Sequence, residues 1–584
     1  MFGLTIRLKK KEGEKRIFLI SIARPKKQYG GMMIMKNRIF SFLLTLTLIL
    51  TVIPMAVSAA NDEAKIGSVL YATLGDAITA AKDGDTVEVL KNCNFAGMKI
   101  SKNITVKGAD GLAEKPLITL TGSIVPGKDA LLTFEKLKFY AKDLNDFSFA
   151  ATSTGSVLTL KNCDVESNGY YCVFIDVQGI TLNIEGGNYV SDWGCVVCGS
   201  TMPKTAEERT KIAVNINGAV LTQTANVSGM YAPVSNGNGK SNMEIRITDS
   251  TLNANDGTKK DGSVEDGACV KIGGNPKEYN ITADNVLIVK NSTLNSKTQY
   301  GIYVERTAKT DITIEDSTLN LNSSMTGGAC VKAGGGNGTV ENLTLTAKGN
   351  LTRLNSKSQY CVYYQGTQNS AILLEGGKLT VEESGQKSAW AVSTSKTPEN
   401  ARAKVTVSGA EIDTSKLALD LDANTDFSIT AGKLNEEKST LSFGGKKQTA
   451  QNHPFTNTLY AQYLKGTTAE SASTNVRFAI QVPMEGYESY GFLVSAENRI
   501  LFCALANGGK ILSVETDKLY TAVYANGEKI GTDAEGFGWL ALGIDGIPKA
   551  DFGTEFSVRP FAVKNGTVIL GETYSFTVNG LLSK

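Results

Sequence analysis

The chain has 584 residues, with 60 Lys and Arg against 58 Asp and Glu, a single histidine, and 41% hydrophobic residues. So even a balance excludes the basic surface a nucleic-acid-binding protein needs. One histidine, His453, leaves no His-rich metal site and no obvious partner for a Ser or Cys nucleophile.

The first 59 residues read as leader. Met35-Lys36-Asn37-Arg38 is a short basic start, followed by the apolar run IFSFLLTLTLILTVI, Pro54 and the small residues AVSAA. This is the pattern of a secretory signal peptide cleaved after Ala59, with Met35 as the true start and residues 1–34 upstream of it. The competing reading is an uncleaved anchor, because the apolar run approaches the ~18 residues that span a bilayer. Residues 1–59 hold eleven Lys and Arg against two Glu, so the net charge of +2 becomes about −7 once they are removed. The expected location is extracellular or at the cell surface, with no membrane span after cleavage and no nucleic-acid partner.

In YATLGDAITAAKDGDTVEVL, Leu74, Ala77, Ile78 and Ala81 make an apolar stripe at helical spacing, ended by Asp83-Gly84 and followed by a strand. Strand-like runs such as NITVKGAD, VLTLKNCDV, AVNINGAVL, EIRITDSTL, VLIVKNSTL and ITIEDSTLN then recur about every 25 to 35 residues, the mark of a solenoid. NSKTQYGIYVERT at Asn295 and NSKSQYCVYYQGT at Asn355 are nearly the same phrase 60 positions apart. Between them GACVKAGG from Gly328 echoes GACVKIGG from Gly267, so two types of coil alternate. Many short strands at this period fit an all-β, right-handed parallel β-helix of about 12 coils with an N-terminal helical cap, spanning residues 60–434. The short helix, the DGDTVEVL strand and the ITVKG and STL coils resemble the pectin lyase-like superfamily, and the resemblance covers residues 64–434.

The phrases YCVFI, GCVVC, ACVKI, YGIYV, ACVKA and YCVYY align without gaps as one strand per coil. Taking Val270, Ile272, Ile302 and Val304 as core, the alternation of a strand turns their neighbours outward. One outward column then contains Pro233, Lys271, Tyr303, Lys332, Tyr363 and Val392, about 4.8 Å apart from coil to coil. Glu305 and Gln365 stand two residues further on, so ammonium, phenol, carboxylate and amide groups meet in a small polar cleft. This set suits glycan binding, and a lysine base (Lys271 or Lys332) with Tyr303 as proton donor suits elimination next to a uronic carboxylate. The insertion from Asn253 adds Asp256, Asp261, Glu265 and Asp266 as candidate calcium ligands, although their spacing matches no EF-hand loop. The plain alternative is that outward Tyr and Lys serve strand propensity and solubility alone.

A second column, two residues earlier, holds Cys172, Cys195, Cys269, Cys330 and Cys361. Neighbours such as Cys172 and Cys195, or Cys330 and Cys361, fall near the ~4.4–6.8 Å Cα window of a disulfide. A half-buried ladder of free thiols is the equal alternative.

After Leu434 the repeat stops. Residues 435–474 are polar and unpatterned and read as a linker, and residues 475–584 return to strands without the repeat. There FSVRPFAVKNGTVILGE sets alternating strands around Asn565-Gly566, a hairpin signal because Asn-Gly accepts the positive φ angles of a type I′ turn. This closing β-sandwich, with its VRF, YGFLV, RPF and GETYSFTV phrases, resembles the small Ig-like modules of surface proteins of Gram-positive anaerobes.

Three functions are open: a surface protein binding polysaccharide or cell-surface glycan, a polysaccharide lyase or glycoside hydrolase acting on acidic polysaccharide, and an architectural stalk. The resemblance implies particular enzyme motifs, and the chain lacks the DH strand and RxPxxR of pectate lyases and the NTD, DD and GHG set of polygalacturonases. Glycan binding or adhesion is therefore the leading expectation, with no required cofactor beyond a calcium option.

Overall fold

The computed structural model describes residues 62–142, 146–199, 211–224, 232–236, 242–255, 267–273, 284–335, 340–382, 390–414, 417–420, 425–429, 432–436, 439–443, 454–455, 459–487, 489–496, 499–505, 536–564, 567–572 and 574–583. The leader, the acidic residues Asp256, Asp261, Glu265 and Asp266, His453 and the Asn565-Gly566 turn lie outside them. Among the described residues no helix is long and apolar enough to cross a membrane.

Three long sheets of 15, 14 and 12 strands make up the body of the protein. Each coil lays one strand in each sheet in turn. Asp284–Lys290 lies in the first, Thr293–Ser296 in the second and Tyr300–Val304 in the third, before Lys309–Glu315 returns to the first and pairs in parallel with Asp284–Lys290. The architecture is a right-handed parallel β-helix. Its core follows from the period of two: Leu158 and Leu160 point inward, stack on Leu132 and Phe134 of the coil before, and are covered by Leu182 and Ile184 of the coil after.

The corner between the first and second sheets is written in the sequence as NC, DS or NS. Its first residue is left-handed, with φ between 46° and 48° at Asn162, Asp249, Asn291 and Asp316. Asn and Asp are the side chains that best tolerate this region. The serine that follows turns inward and ties the coils together. Ser250, Ser292 and Ser317 Oγ accept the backbone N–H groups of Ala219, Ser250 and Ser292 at 3.1, 3.1 and 3.0 Å. On the outer face of the second sheet a second ladder runs from Thr222 through Asn253, Asn295 and Asn320 to Asn355. Each asparagine Nδ2 there donates to the coil before it, at 2.9 to 3.2 Å.

Both ends of the stack are covered. The helix Leu74–Ala80 begins where Thr73 Oγ1 accepts the Asp76 N–H at 3.1 Å, and its Leu74, Ala77 and Ile78, with Ala81, join the core as the expected cap. At the other end Ser439–Phe443 folds back antiparallel on Gly432–Glu436, the last parallel strand of the second sheet. Residues 435–474, expected as a linker, thus carry this closing strand and also Tyr460–Tyr463, the first strand of the C-terminal sheets.

Those sheets form a sandwich. Tyr460–Tyr463, Ser473–Pro483 and Phe537–Pro548 make one layer, and Arg499–Leu505, Ser489–Ala496, Phe556–Lys564 and Thr567–Leu570 the other. Phe478 meets Phe492 edge to face across the layers, with ring centroids 5.0 Å apart. Lys564 pairs with Thr567, which leaves two residues for the turn, as the Asn-Gly hairpin reading requires. Phe561 is buried in the core cluster of the β-helix, with Leu493 packed against it, so the sandwich seals the open end of the solenoid and does not stand free of it.

Candidate functional site

The third sheet carries the column singled out in the sequence, and its middle register is as expected: Lys271 pairs with Tyr303, Tyr303 with Lys332 and Lys332 with Tyr363. Away from the middle it shifts by one residue at one side and two at the other. Ser235, not Pro233, stands opposite Lys271, and Ser393, not Val392, stands opposite Tyr363, while Val392 lies in the core.

The column is not an open cleft. Lys271 is 3% exposed, Tyr303 4%, Lys332 4% and Glu305 7%; Tyr363 and Gln365 are half-buried. Two coil types alternate for a packing reason. One type carries an aromatic pair three residues apart, Tyr300 with Tyr303 or Tyr360 with Tyr363, stacked at 4.7 and 4.2 Å. The other carries a small residue and a lysine, Ala268 with Lys271 or Ala329 with Lys332. Alanine makes room for the rings of the neighbouring coil, and the ammonium covers a ring face. Lys332 Nζ lies 3.5 Å from the Tyr363 centroid and donates to Gln365 Oε1 at 2.8 Å, while Lys271 Nζ lies 5.6 Å from the Tyr303 centroid and 3.8 Å from Glu305 Oε2. Tyr363 Oη and Ser395 Oγ share a hydrogen bond at 3.1 Å. The structure therefore brings Lys271, Tyr303, Glu305, Lys332, Tyr363 and Gln365 together, but pairs them with one another. Lys332 is held by a hydrogen bond to a neutral amide, whereas Lys271 and Glu305 form a looser buried ion pair in which Glu305 Oε2 accepts no hydrogen bond.

The cysteines do not share that face. Cys172, Cys195, Cys269, Cys330 and Cys361 are fully buried in the core, and the eight cysteines whose side chains are described are free. Strand alternation fails at them because they sit at the corner between the second and third sheets, where pairing skips a residue: Tyr300 pairs with Ala329 and Ile302 with Val331. The thiol and the following valine both turn inward. The thiols then donate to second-sheet carbonyls, Cys361 Sγ to Leu354 O at 3.1 Å and Cys330 Sγ to Asn355 O at 3.3 Å. Of the two alternatives for neighbouring cysteines, the ladder of thiols is the one present, fully buried where half-burial was expected.

A second aromatic group was missed in the sequence. Phe147, Tyr170, Tyr171, Phe174 and Trp193 come together from three successive coils at the start of the third sheet. Phe147 stacks on Phe174 at 4.2 Å and 17°, and Tyr170 on Trp193 at 5.1 Å and 22°. Phe147, Tyr170, Phe174 and Trp193 are half-buried, whereas Tyr171 is 6% exposed and lies beneath them. Ser191 positions the Trp193 turn: its Oγ donates to Tyr170 O at 2.7 Å and accepts the N–H groups of Trp193 and Gly194, each at 3.0 Å. Asp192 Oδ1 accepts the Gly169 N–H at 2.8 Å and holds the adjoining turn. The signal was present in NDFSF, NGYYCVF and SDWGC, where an aromatic residue precedes or opens the third strand in each coil. Aligning only the strands hid it.

No protein-family model matches the chain, and no curated protein matches it. The fold by itself defines a class: a right-handed parallel β-helix closed by a C-terminal β-sandwich.

Proposed function

We propose that this is an exported, cell-surface β-helix that binds polysaccharide, with kinship to the pectin lyase-like proteins and an Ig-like C-terminal module. The observation that carries the reading is the half-exposed platform of Phe147, Tyr170, Phe174 and Trp193. Its rings are stacked, fixed by the Ser191 turn and flanked by carboxylates at Asp146 and Asp192. Flat aromatic faces take up the apolar faces of sugar rings, and neighbouring polar groups orient the hydroxyls.

A lyase acting on acidic polysaccharide is the second reading, favoured by the burial of Lys271 and Lys332 against Tyr303 and Tyr363, a lysine beside a phenol being the base and proton donor an elimination needs. Both readings meet one experiment. The exported chain, residues 60–584, is incubated with acidic and neutral polysaccharides while retention on the polymer and the absorbance of unsaturated products are followed. Retention that falls on Trp193→Ala supports the platform. Product that disappears in Lys332→Ala replaces it with the lyase, and neither retention nor product leaves a stalk.

A further inference from the structure

The corner position between the first and second sheets is glycine in two adjoining coils, as it is again at Gly349. Where other coils carry Asn162, Asp249, Asn291 and Asp316 in the left-handed region, these two carry Gly186 at φ 76° and Gly218 at φ 65°. The backbone does not demand glycine there, because asparagine holds the equivalent position at 48° and 47°. A Cβ on Gly218 would meet nothing within 4 Å, and one on Gly186 only Gly218 O at 3.8 Å and Asn162 Cα at 3.9 Å, both ordinary contacts. The missing side chains open a groove of about 400 Å³ lined by Asn183, Glu185, Asn215, Asn217 and the two glycines. That volume falls within the range of small-molecule sites.

The groove also holds hydrogen-bonding groups without protein partners. Asn183 is fixed, its Nδ2 donating to Thr159 Oγ1 at 3.2 Å and its Oδ1 accepting from Asn215 Nδ2 at 2.9 Å. Asn215 Oδ1, the Asn217 amide and the Glu185 carboxylate have no hydrogen-bond or ion-pair partner among the described residues. The set is one carboxylate with amides that both donate and accept, preorganised on a rigid sheet. Neighbouring hydroxyls of a pyranose need that mixture of donors and acceptors. A divalent cation would need more carboxylate charge than Glu185 supplies, and an anion would meet Glu185 itself.

We infer that the groove formed by Gly186, Gly218, Asn183, Glu185, Asn215 and Asn217 binds one neutral pyranose unit of a polysaccharide. This deepens the glycan-binding reading and rests on it, but it places a sugar on a different sheet from the aromatic platform. The ring lies over the two glycines, Glu185 accepts from adjacent hydroxyls, and the amides of Asn215 and Asn217 complete the contacts.

The test uses saturation-transfer NMR on the exported chain with glucose, galactose, mannose, N-acetylglucosamine and their short oligomers. Gly218→Asn fills the groove with a side chain that the same corner accommodates at Asn162 and Asn291, so folding is retained. It is expected to abolish the sugar signal, and Glu185→Gln to weaken binding by roughly tenfold, the equivalent of ~1.4 kcal/mol. The inference is overturned if no neutral sugar binds the wild type, if both variants bind as the wild type does, or if the groove takes up calcium and not sugar. Failure of the two readings is separable. Retention on polysaccharide lost in Trp193→Ala but untouched by Gly218→Asn removes the groove alone. A sugar signal blocked by Gly218→Asn in a chain that no polymer retains through Trp193 removes the platform alone.

Discussion

Lys332 Nζ rests 3.5 Å from the centre of the Tyr363 ring in the following coil, and the same ammonium reaches Gln365 Oε1 at 2.8 Å. One lysine thus joins two coils through a ring face and an amide, almost out of reach of water. Its first consequence is mechanical, since every coil of a solenoid depends on its neighbours.

Replacing Lys332 by Met keeps the stem and removes the charge. The cation–π contact and the charged hydrogen bond together are worth about 1–3 kcal/mol. The urea midpoint of Lys332→Met should fall accordingly, while retention on polysaccharide stays unchanged. Lost retention with unchanged stability would instead make Lys332 a ligand.

The thiols predict alkaline lability. Burial pushes Cys163 and Cys269 up to about 12. An unfolded thiol loses its proton near pH 8.5, so between about pH 8.5 and 12 the unfolded chain sheds protons that the folded chain keeps. The contribution is whole below about pH 8.5 and declines as pH rises, by ~1.4 kcal/mol per pH unit for each such thiol. Urea midpoints of wild type and Cys269→Ala at pH 8 and pH 10 check this. The stability gap between them should narrow by about 2 kcal/mol at the higher pH, and a constant gap would contradict it.

Two glycines separate backbone need from open space. Gly273 has φ 91°, and a Cβ there would land on the Glu305 carbonyl oxygen. Gly273→Ala should cost upward of ~3 kcal/mol or prevent folding. Gly218→Ala meets nothing within 4 Å, so only its φ of 65° is strained and the loss should stay near ~1 kcal/mol. Thermal unfolding of the two variants gives the comparison.

The outer asparagine ladder is a stabilising seam. Asn295 donates to Asn253 Oδ1 at 3.0 Å and accepts from Asn320 at 2.9 Å. Asn295→Ala removes both bonds on a half-buried face, for a loss of about 1–2 kcal/mol at ~1 kcal/mol each. Asn295→Asp keeps the bond accepted from Asn320 but sets a carboxylate oxygen against Asn253 Oδ1, so its loss in the same melts should be at least as large.

On the platform, Trp193→Ala removes the ring that stacks on Tyr170 and meets the buried Tyr171 edge to face. Retention on the preferred polysaccharide should weaken by roughly tenfold or more, corresponding to ~1.4 kcal/mol. Phe147→Ala should act in the same direction, and circular dichroism should show both variants folded.

Local chemistry alone specified the repeat. Alternating Leu and Asn in TLNS and TLNL has to place one residue in the core and one outside, because the side chains of a strand alternate. The DS and NS corners require a left-handed residue that Asp and Asn supply. The parallel β-helix, its helical cap at Leu74–Ala80 and the Lys271, Tyr303, Lys332 and Tyr363 register all follow from such rules. Where the backbone leaves the rule, the sequence had nothing to say. The corner at Cys330 turns two successive residues inward, and strand periodicity cannot encode a skipped pairing. Exposure was read as open where it is closed, because whether Lys332 faces solvent or a Tyr363 ring depends on the coils stacked beside it. The platform of Phe147, Tyr170 and Trp193 and the groove over Gly186 and Gly218 exist only because stacking brings together residues 23 to 46 positions apart. Sequence set the period and the inward faces through local sterics and hydrophobic alternation; tertiary packing decided which outward groups stay open, because burial belongs to neighbouring coils together and to no single one of them.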